Sequence, residues 1–241
     1  IKKAARYVGI ELTRYAPETC ESARLARILS FHQIDLVLDV GANIGQYAKH
    51  LRDIGYKGGI ISFEPLSNAY SSLLQASKND PLWQIAPRTA IGDRDGVVMI
   101  NNASNSVSSS LLPMLDSHLK YAPESLYANS ESVSVHKLDS VAMGYVASAK
   151  SIYLKIDVQG FEKHVLDGAS TILQDIKAVQ LEMSLLALYE GELLFREMLD
   201  HMERLGYELY ALVPGFTDRN TGRLVQVDGI FFRLQQSDLP H

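Results

Sequence analysis

LVLDVGANIGQYAKHL, residues 36–51, is the stretch on which the fold turns. An apolar run carries Asp39 at its end, glycines follow at Gly41 and Gly45, and a helical pattern comes next. That order describes a strand, a tight turn and a helix, the opening βα unit of a nucleoside-binding α/β domain. The backbone passes close to a ligand at such a turn, and glycine, lacking Cβ, allows the approach. A dinucleotide fingerprint needs glycine at two further positions, where this chain has Asn43 and Gln46. An acid at the strand end with loosely spaced glycines suits S-adenosylmethionine (SAM) instead. SAM has no pyrophosphate to cradle, and it has an ammonium group that a carboxylate can face. Asp39, Gly41, Asn43 and Gly45 are therefore the first candidate cofactor contacts.

The same βα rhythm continues outward. Residues 60–63 (IISF) form a second strand ending at Glu64-Pro65, a helix follows over 67–77, and a third strand includes Ile85 and ends near Ile91. Glu64 can accept both hydroxyls of a ribose, a task common to SAM and NAD enzymes. Asp93 follows the third strand, where an adenine amino group would lie. Then the rhythm breaks. A turn cluster at 92–96, a short strand at 97–100, a Ser/Asn-rich loop at 101–110 and an alternating strand at 132–136 predict an insertion at about 93–136. The polar loop can serve as a lid over a cleft.

Buried-strand patterns return at 151–156 and 178–182, and Leu194, Met198, Met202 and Leu205 mark an amphipathic helix. Strands at 208–213 and 229–234 are joined by a short connector and should be antiparallel neighbours. The pattern predicts a Rossmann-like α/β fold of the class I methyltransferase type. Its sheet should be seven-stranded and mostly parallel with an antiparallel last strand, and helices should cover both faces. Residues 1–34 read as an N-terminal helical extension, helical over 1–31 with a break near Pro17, and 35–241 as the main domain.

Bulk properties narrow the class. A chain of 241 residues with 46% hydrophobic and 21% charged residues can build one large core. Its net charge of −5, without a basic block, argues against a nucleic-acid partner. The single cysteine, Cys20, cannot form an internal disulfide, which fits a cytoplasmic setting. No apolar run approaches the ~20 residues of a membrane span. The sequence begins at Ile1, so a natural N-terminal extension can be missing from it, and no signal peptide is visible.

A second informative stretch is LKIDVQGFEKHVLDGA, residues 154–169. Lys155 and Asp157 stand near the end of an apolar strand, where a charge is costly unless paired or used. Glu162 and His164 lie on the helix that follows, and Glu182 ends the next strand. Methyl transfer to a hydroxyl needs a group that takes its proton. Asp157 is the first candidate base, with Lys155 to orient it and His164 and Glu182 as further candidates.

Taken together, DVGANIGQYAKHL, SFEP, AIGDRDG, Ser109-Ser110-Leu111, VSVHKLDS, LKIDVQGFEKHVLDGA and LEMS resemble the FkbM family of SAM-dependent methyltransferases over about residues 35–232. The family pattern has Glu where this chain has Gln159. The resemblance implies O-methylation of a hydroxyl on a polyketide, or on a sugar of a surface glycan. Three rival readings remain at this level. One is a metal-assisted O-methyltransferase using Asp157 and Glu182 as ligands, although no Asp-Asn pair follows the fifth strand. The others are a nicotinamide-dependent oxidoreductase and a non-catalytic nucleoside-binding module.

Overall fold

The computed structural model describes residues 2–234. Ile1 and residues 235–241, assigned above to the extension and to the end of the main domain, lie outside the described residues. Among the described residues, ten strands occur in chain order: β1 (Leu36–Val40), β2 (Gly59–Phe63), β3 (Trp83–Ile85), β4 (Ala90–Ile91), β5 (Gly96–Ala103), β6 (Tyr127–His136), β7 (Ile152–Ile156), β8 (Ile176–Ser184), β9 (Tyr207–Pro214) and β10 (Gln226–Arg233). The helices are α1 (Lys2–Tyr7), α2 (Glu21–Phe31), α3 (Gln46–Asp53), α4 (Ser67–Ser77), α5 (Asp116–Tyr121), α6 (Leu138–Val141), α7 (Met143–Val146), α8 (Glu162–Asp167) and α9 (Phe195–Arg204).

Seven strands form the expected sheet, in the order β3-β2-β1-β7-β8-β10-β9. The first five of these pair in parallel, and β10 runs antiparallel to both β8 and β9. Central strands β1 and β7 are buried along their whole length, which is why LVLDV and IYLKI read as nearly continuous apolar runs. Alternate side chains serve opposite faces. Leu36, Leu38 and Val40 pack with Val165, Met198 and Met202, whereas Val37 packs with Leu25, Ile28, Leu29 and Leu51. Helices α8 and α9 thus cover one face, and α2 and α3 the other.

Three parts of the fold differ from the sequence expectations. The third strand stops at Ile85, and Ala90–Ile91 leaves the main sheet to pair with β6. Pro87 lies between the two segments and cannot donate to a ladder. The extra sheet, ordered β4-β6-β5, therefore begins at Ala90 rather than near residue 93. It packs Ala90, Ile100, Val133 and Val135 against Leu66 and Ala69 of the α4 region. At the N-terminus, helix is confined to α1 and α2. Gly9 adopts φ +75° just after α1, and residues 8–20 carry no helix. Finally, the Ser/Asn-rich segment starts as strand: residues 101–103 complete β5. The rest is a compact loop in which Asn105 Nδ2 donates to Ser108 and Ser125.

Candidate active site

The order of the main sheet reverses between β1 and β7, and an open α/β sheet binds ligands outside its carboxyl edge at that switch point. A cleft of about 410 Å³ lies there. Its walls are the turns after β1, β2 and β7, the start of β10 and the 106–111 loop that follows β5.

The β1 turn explains its own sequence. Gly41, Asn43 and Gly45 have φ of +83°, +48° and +86°. Glycine and asparagine are the residues that tolerate this left-handed region best. Asn43 N–H donates to Glu64 Oε2 at 2.8 Å, which ties the β1 turn to the β2 turn. Glu64 Oε1 accepts Leu66 N–H, also at 2.8 Å. Each oxygen of this buried carboxylate keeps capacity to accept a further hydrogen bond. Burial pushes Glu64 up to about 7, against the pull of its two backbone donors.

Asp39 is buried on the cleft wall and is pushed up to about 6 by burial, opposed by the Ser62 hydroxyl and Lys155. Ser62 Oγ donates to Asp39 Oδ2 at 3.0 Å, and Trp83 Nε1–H donates to Ser62 Oγ at 2.9 Å.

Across the cleft, Lys155 and Asp157 leave the end of β7. Lys155 Nζ lies 3.3 Å from Asp228 Oδ2 and 3.7 Å from Asp157 Oδ2. Burial alone would lower the proton affinity of this amine. Asp228, Asp157 and Glu182 outweigh burial and hold its proton more tightly than an ordinary lysine does. The Asp157 side chain is 40% exposed and lines the cleft. Gln159 Nε2 donates to Asp157 Oδ1 at 2.9 Å and to Glu182 Oε2 at 2.8 Å.

Asp39, Gly41, Asn43, Glu64, Lys155 and Asp157 all line one cleft. Four other candidates do not. Asp93 is carried away by the departure of β4 and stands 3.6 Å from Arg94 in the turn before β5; Thr89, Ala90 and Ile91 line the wall instead. Gly45 serves packing: a Cβ there would stand 2.6 Å from the Trp83 ring. His164 lies on α8 behind Phe161, stacked on it at 3.9 Å, and burial lowers its proton affinity. Only Phe161 of that pair reaches the cleft. Glu182 sits behind Gln159, and burial with Asp157 and Asp228 nearby raises its proton affinity well above the usual range.

Glu162 does not line the cleft either. Its Oε1 accepts the N–H groups of Val158 (3.1 Å) and Gly160 (3.2 Å), so it shapes the turn beyond Asp157. Burial pushes it up to about 8.

Sequence reasoning missed Asp228. It sought acids at the carboxyl ends of strands, but β10 runs backwards, so its first residues reach the ligand edge. Asp228 also accepts a short hydrogen bond from Gln180, whose Oε1 in turn accepts from Tyr47 and Tyr153 at 2.8 Å each. The available signal was a lone acid inside the apolar run VDGIFF.

Comparison with known proteins gives a family match. The Methyltransferase FkbM domain model matches residues 39–209. No curated protein matches the chain. Among solved structures, TehB from Haemophilus influenzae aligns at 12% identity over 89% of this chain and 62% of that one, with TM-score 0.47. The methyltransferase domain of bacterial CtHen1 aligns at 11% identity over 88% and 97%, with TM-score 0.48. A protein of the NADB-Rossmann superfamily from Streptococcus agalactiae aligns at 12% identity over 93% and 69%, with TM-score 0.47. The family match spans well over half of the 241 residues and includes the turns after β1, β2 and β7, and the chain belongs to the FkbM methyltransferase family.

Proposed function

We propose that the protein transfers a methyl group from SAM to a hydroxyl of a sugar or polyketide-type acceptor, with Asp157 as the proton acceptor. The observation that carries this reading is the charge of the cleft. Four carboxylates, Asp39, Glu64, Asp157 and Asp228, line it with one lysine ammonium, Lys155. Such a surplus of negative charge suits a ligand with sulfonium and ammonium groups, and the volume lies in the usual range for small-molecule sites. When bound, SAM supplies an electrophilic methyl group. Asp39 and Glu64 would hold it from the β1 and β2 turns. Asp157 would take the acceptor's hydroxyl proton as the new C–O bond forms and the C–S bond breaks, then return it to solvent. Lys155 stays charged and fixes Asp157 from below.

The metal-assisted reading loses support here. Asp157 and Glu182 are bridged by the Gln159 amide, which puts N–H donors where a cation would need to sit. Among the described residues, no group of three or more His, Cys, Asp or Glu side chains is placed to hold a metal ion. No described helix is long and apolar enough to cross a membrane. The hydroxyl-rich lining contributed by Ser106, Ser109 and Ser110 suits a polar acceptor. The test is transfer of labelled methyl from SAM to a panel of hexosides and hydroxylated macrolactones, with and without EDTA. O-methyl products formed in EDTA support the proposal, and label found solely on nitrogen or carbon acceptors overturns it.

The binding half of this reading predicts a pH dependence. Asp39 and Glu64, at about 6 and about 7, attract a cationic ligand only when ionised. SAM affinity should therefore rise by about tenfold or more between pH 5.5 and pH 8, since one pKa unit corresponds to a tenfold change. In the free protein the sign is opposite. Both carboxylates bind their protons more tightly when folded, so they cost stability as pH rises from the ordinary carboxylate range through 6 and 7. The rise in Tm that SAM produces should grow with pH. Calorimetric titration and thermal melts across this range measure both quantities, and a pH-independent affinity would remove Asp39 and Glu64 from the site.

A further inference from the structure

Both N–H donors and the carbonyl oxygen of the Gln159 side chain have partners. An amide has two N–H donors and one carbonyl acceptor. Here the two N–H groups go to Asp157 Oδ1 and Glu182 Oε2, at 2.9 and 2.8 Å, and Oε1 lies 2.9 Å from the Tyr189 hydroxyl. Asp157 fixes the amide's orientation, because the reverse one would aim a carbonyl at its carboxylate. The backbone is committed as well. Gln159 has φ +56°, and its carbonyl accepts Ser110 Oγ at 2.7 Å. Gly160 behind it packs closely, since a Cβ there would stand 3.0 Å from Tyr189 Cβ, at φ +92°. Tyr189 Oη also lies 3.1 Å from the Ser108 carbonyl. One residue thus links Asp157 on the cleft to β8, to the 185–192 segment and to the loop of the extra sheet.

We propose that Gln159 is a positioning residue: it bridges Asp157 and Glu182 through one amide and so holds Asp157 toward the cleft at every pH. A glutamate at this place could not do the same. Protonated, it has one donor for two acceptors; ionised, it has none and adds a third carboxylate. Other charged groups face this cluster too. They are Lys155 on β7, Glu162 at the start of α8, Glu192 behind Tyr189, and Asp228 on β10, which also shares Lys155. Among the described residues, Lys155 is the one cation paired with this cluster, and it is already shared by Asp157 and Asp228. The proposal rests on Asp157 as the proton acceptor for its catalytic meaning, but the bridge itself can be tested without an acceptor.

The test is a double-mutant cycle read as Tm at pH 5.5 and pH 9, on Gln159→Glu, Asp157→Asn and the double variant. Gln159→Glu should melt below the parent at both pH values, with a deficit larger at pH 9 by about 3 °C or more for a chain of this size. In the Asp157→Asn background that pH-dependent part should shrink, because the introduced amide carries no charge to repel and still offers an acceptor oxygen. Gln159→Ala should lose stability equally at both pH values, since it adds no ionisable group. A Gln159→Glu deficit that is equal at the two pH values, or unchanged by Asp157→Asn, overturns the bridge. A pH-dependent deficit coupled to Asp157, in a protein whose Asp157→Asn variant keeps full methyl transfer, keeps the bridge and removes its catalytic meaning.

Discussion

Asp157→Asn should bind SAM within about threefold of the parent, a difference under 1 kcal/mol, yet transfer methyl groups about 100-fold more slowly or worse. The substitution is close to isosteric. The carbonyl oxygen of the new amide can still accept from Gln159, so the turn beyond β7 keeps its anchor. Lys155 keeps its closer partner, Asp228 at 3.3 Å, so no buried ammonium is left alone. What is lost is a carboxylate that is 40% exposed on the cleft and able to take a proton. Calorimetry with SAM measures the first quantity. Labelled-methyl incorporation into whichever hydroxyl compound the acceptor panel identifies measures the second. Equal loss of both would make Asp157 a cofactor ligand. Full turnover would move proton removal elsewhere, and Asp228 is the next carboxylate on the same wall.

Gly41→Ala should be the most damaging single substitution. A Cβ at this position would stand 1.8 Å from the carbonyl oxygen of Asp157, and φ is +83°. No rotamer relieves a clash with backbone, and the left-handed conformation adds its own cost. The turns after β1 and β7 touch main chain to main chain: Asp157 N–H donates to Val40 C=O at 2.9 Å, while Gly41 N–H and Ala42 N–H both donate to Phe63 C=O. The glycine therefore does more than clear room for a ligand, as its place in the turn suggested. It lets two halves of the cleft close on each other. SAM binding should be abolished and Tm should fall by several degrees, about 2–4 °C for each kcal/mol lost. A variant that melts like the parent and binds SAM normally would mean the turn can move aside.

The central strands were legible because a strand covered on both faces must be apolar throughout, and the glycine-rich turn was legible because few residues accept its backbone angles. Two site features were not. The place of Asp93 was misread because Ala90–Ile91 continues the apolar pattern of the third strand, and nothing local reveals that Pro87 hands it to another sheet. Asp228 was overlooked because strand direction is a tertiary property. The residues VDGIFF look alike in either direction, yet direction decides which end meets the cleft. Gln159 was visible as a departure from the family pattern. Its three partners come from separate segments, so their convergence has no sequence period to announce it.

Trp83 gives the cleft an optical handle. It is the chain's single tryptophan, it is buried, and its indole N–H reaches Asp39 through one serine hydroxyl. Ionisation of Asp39, or a cation drawn to it, changes the field along that two-bond path. Emission from an unlabelled sample should therefore shift with pH near 6 and shift again as the cleft fills, and Ser62→Ala should uncouple the signal from both. The same relay that anchors a wall of the cleft should make a binding titration readable by fluorescence, with no probe to attach.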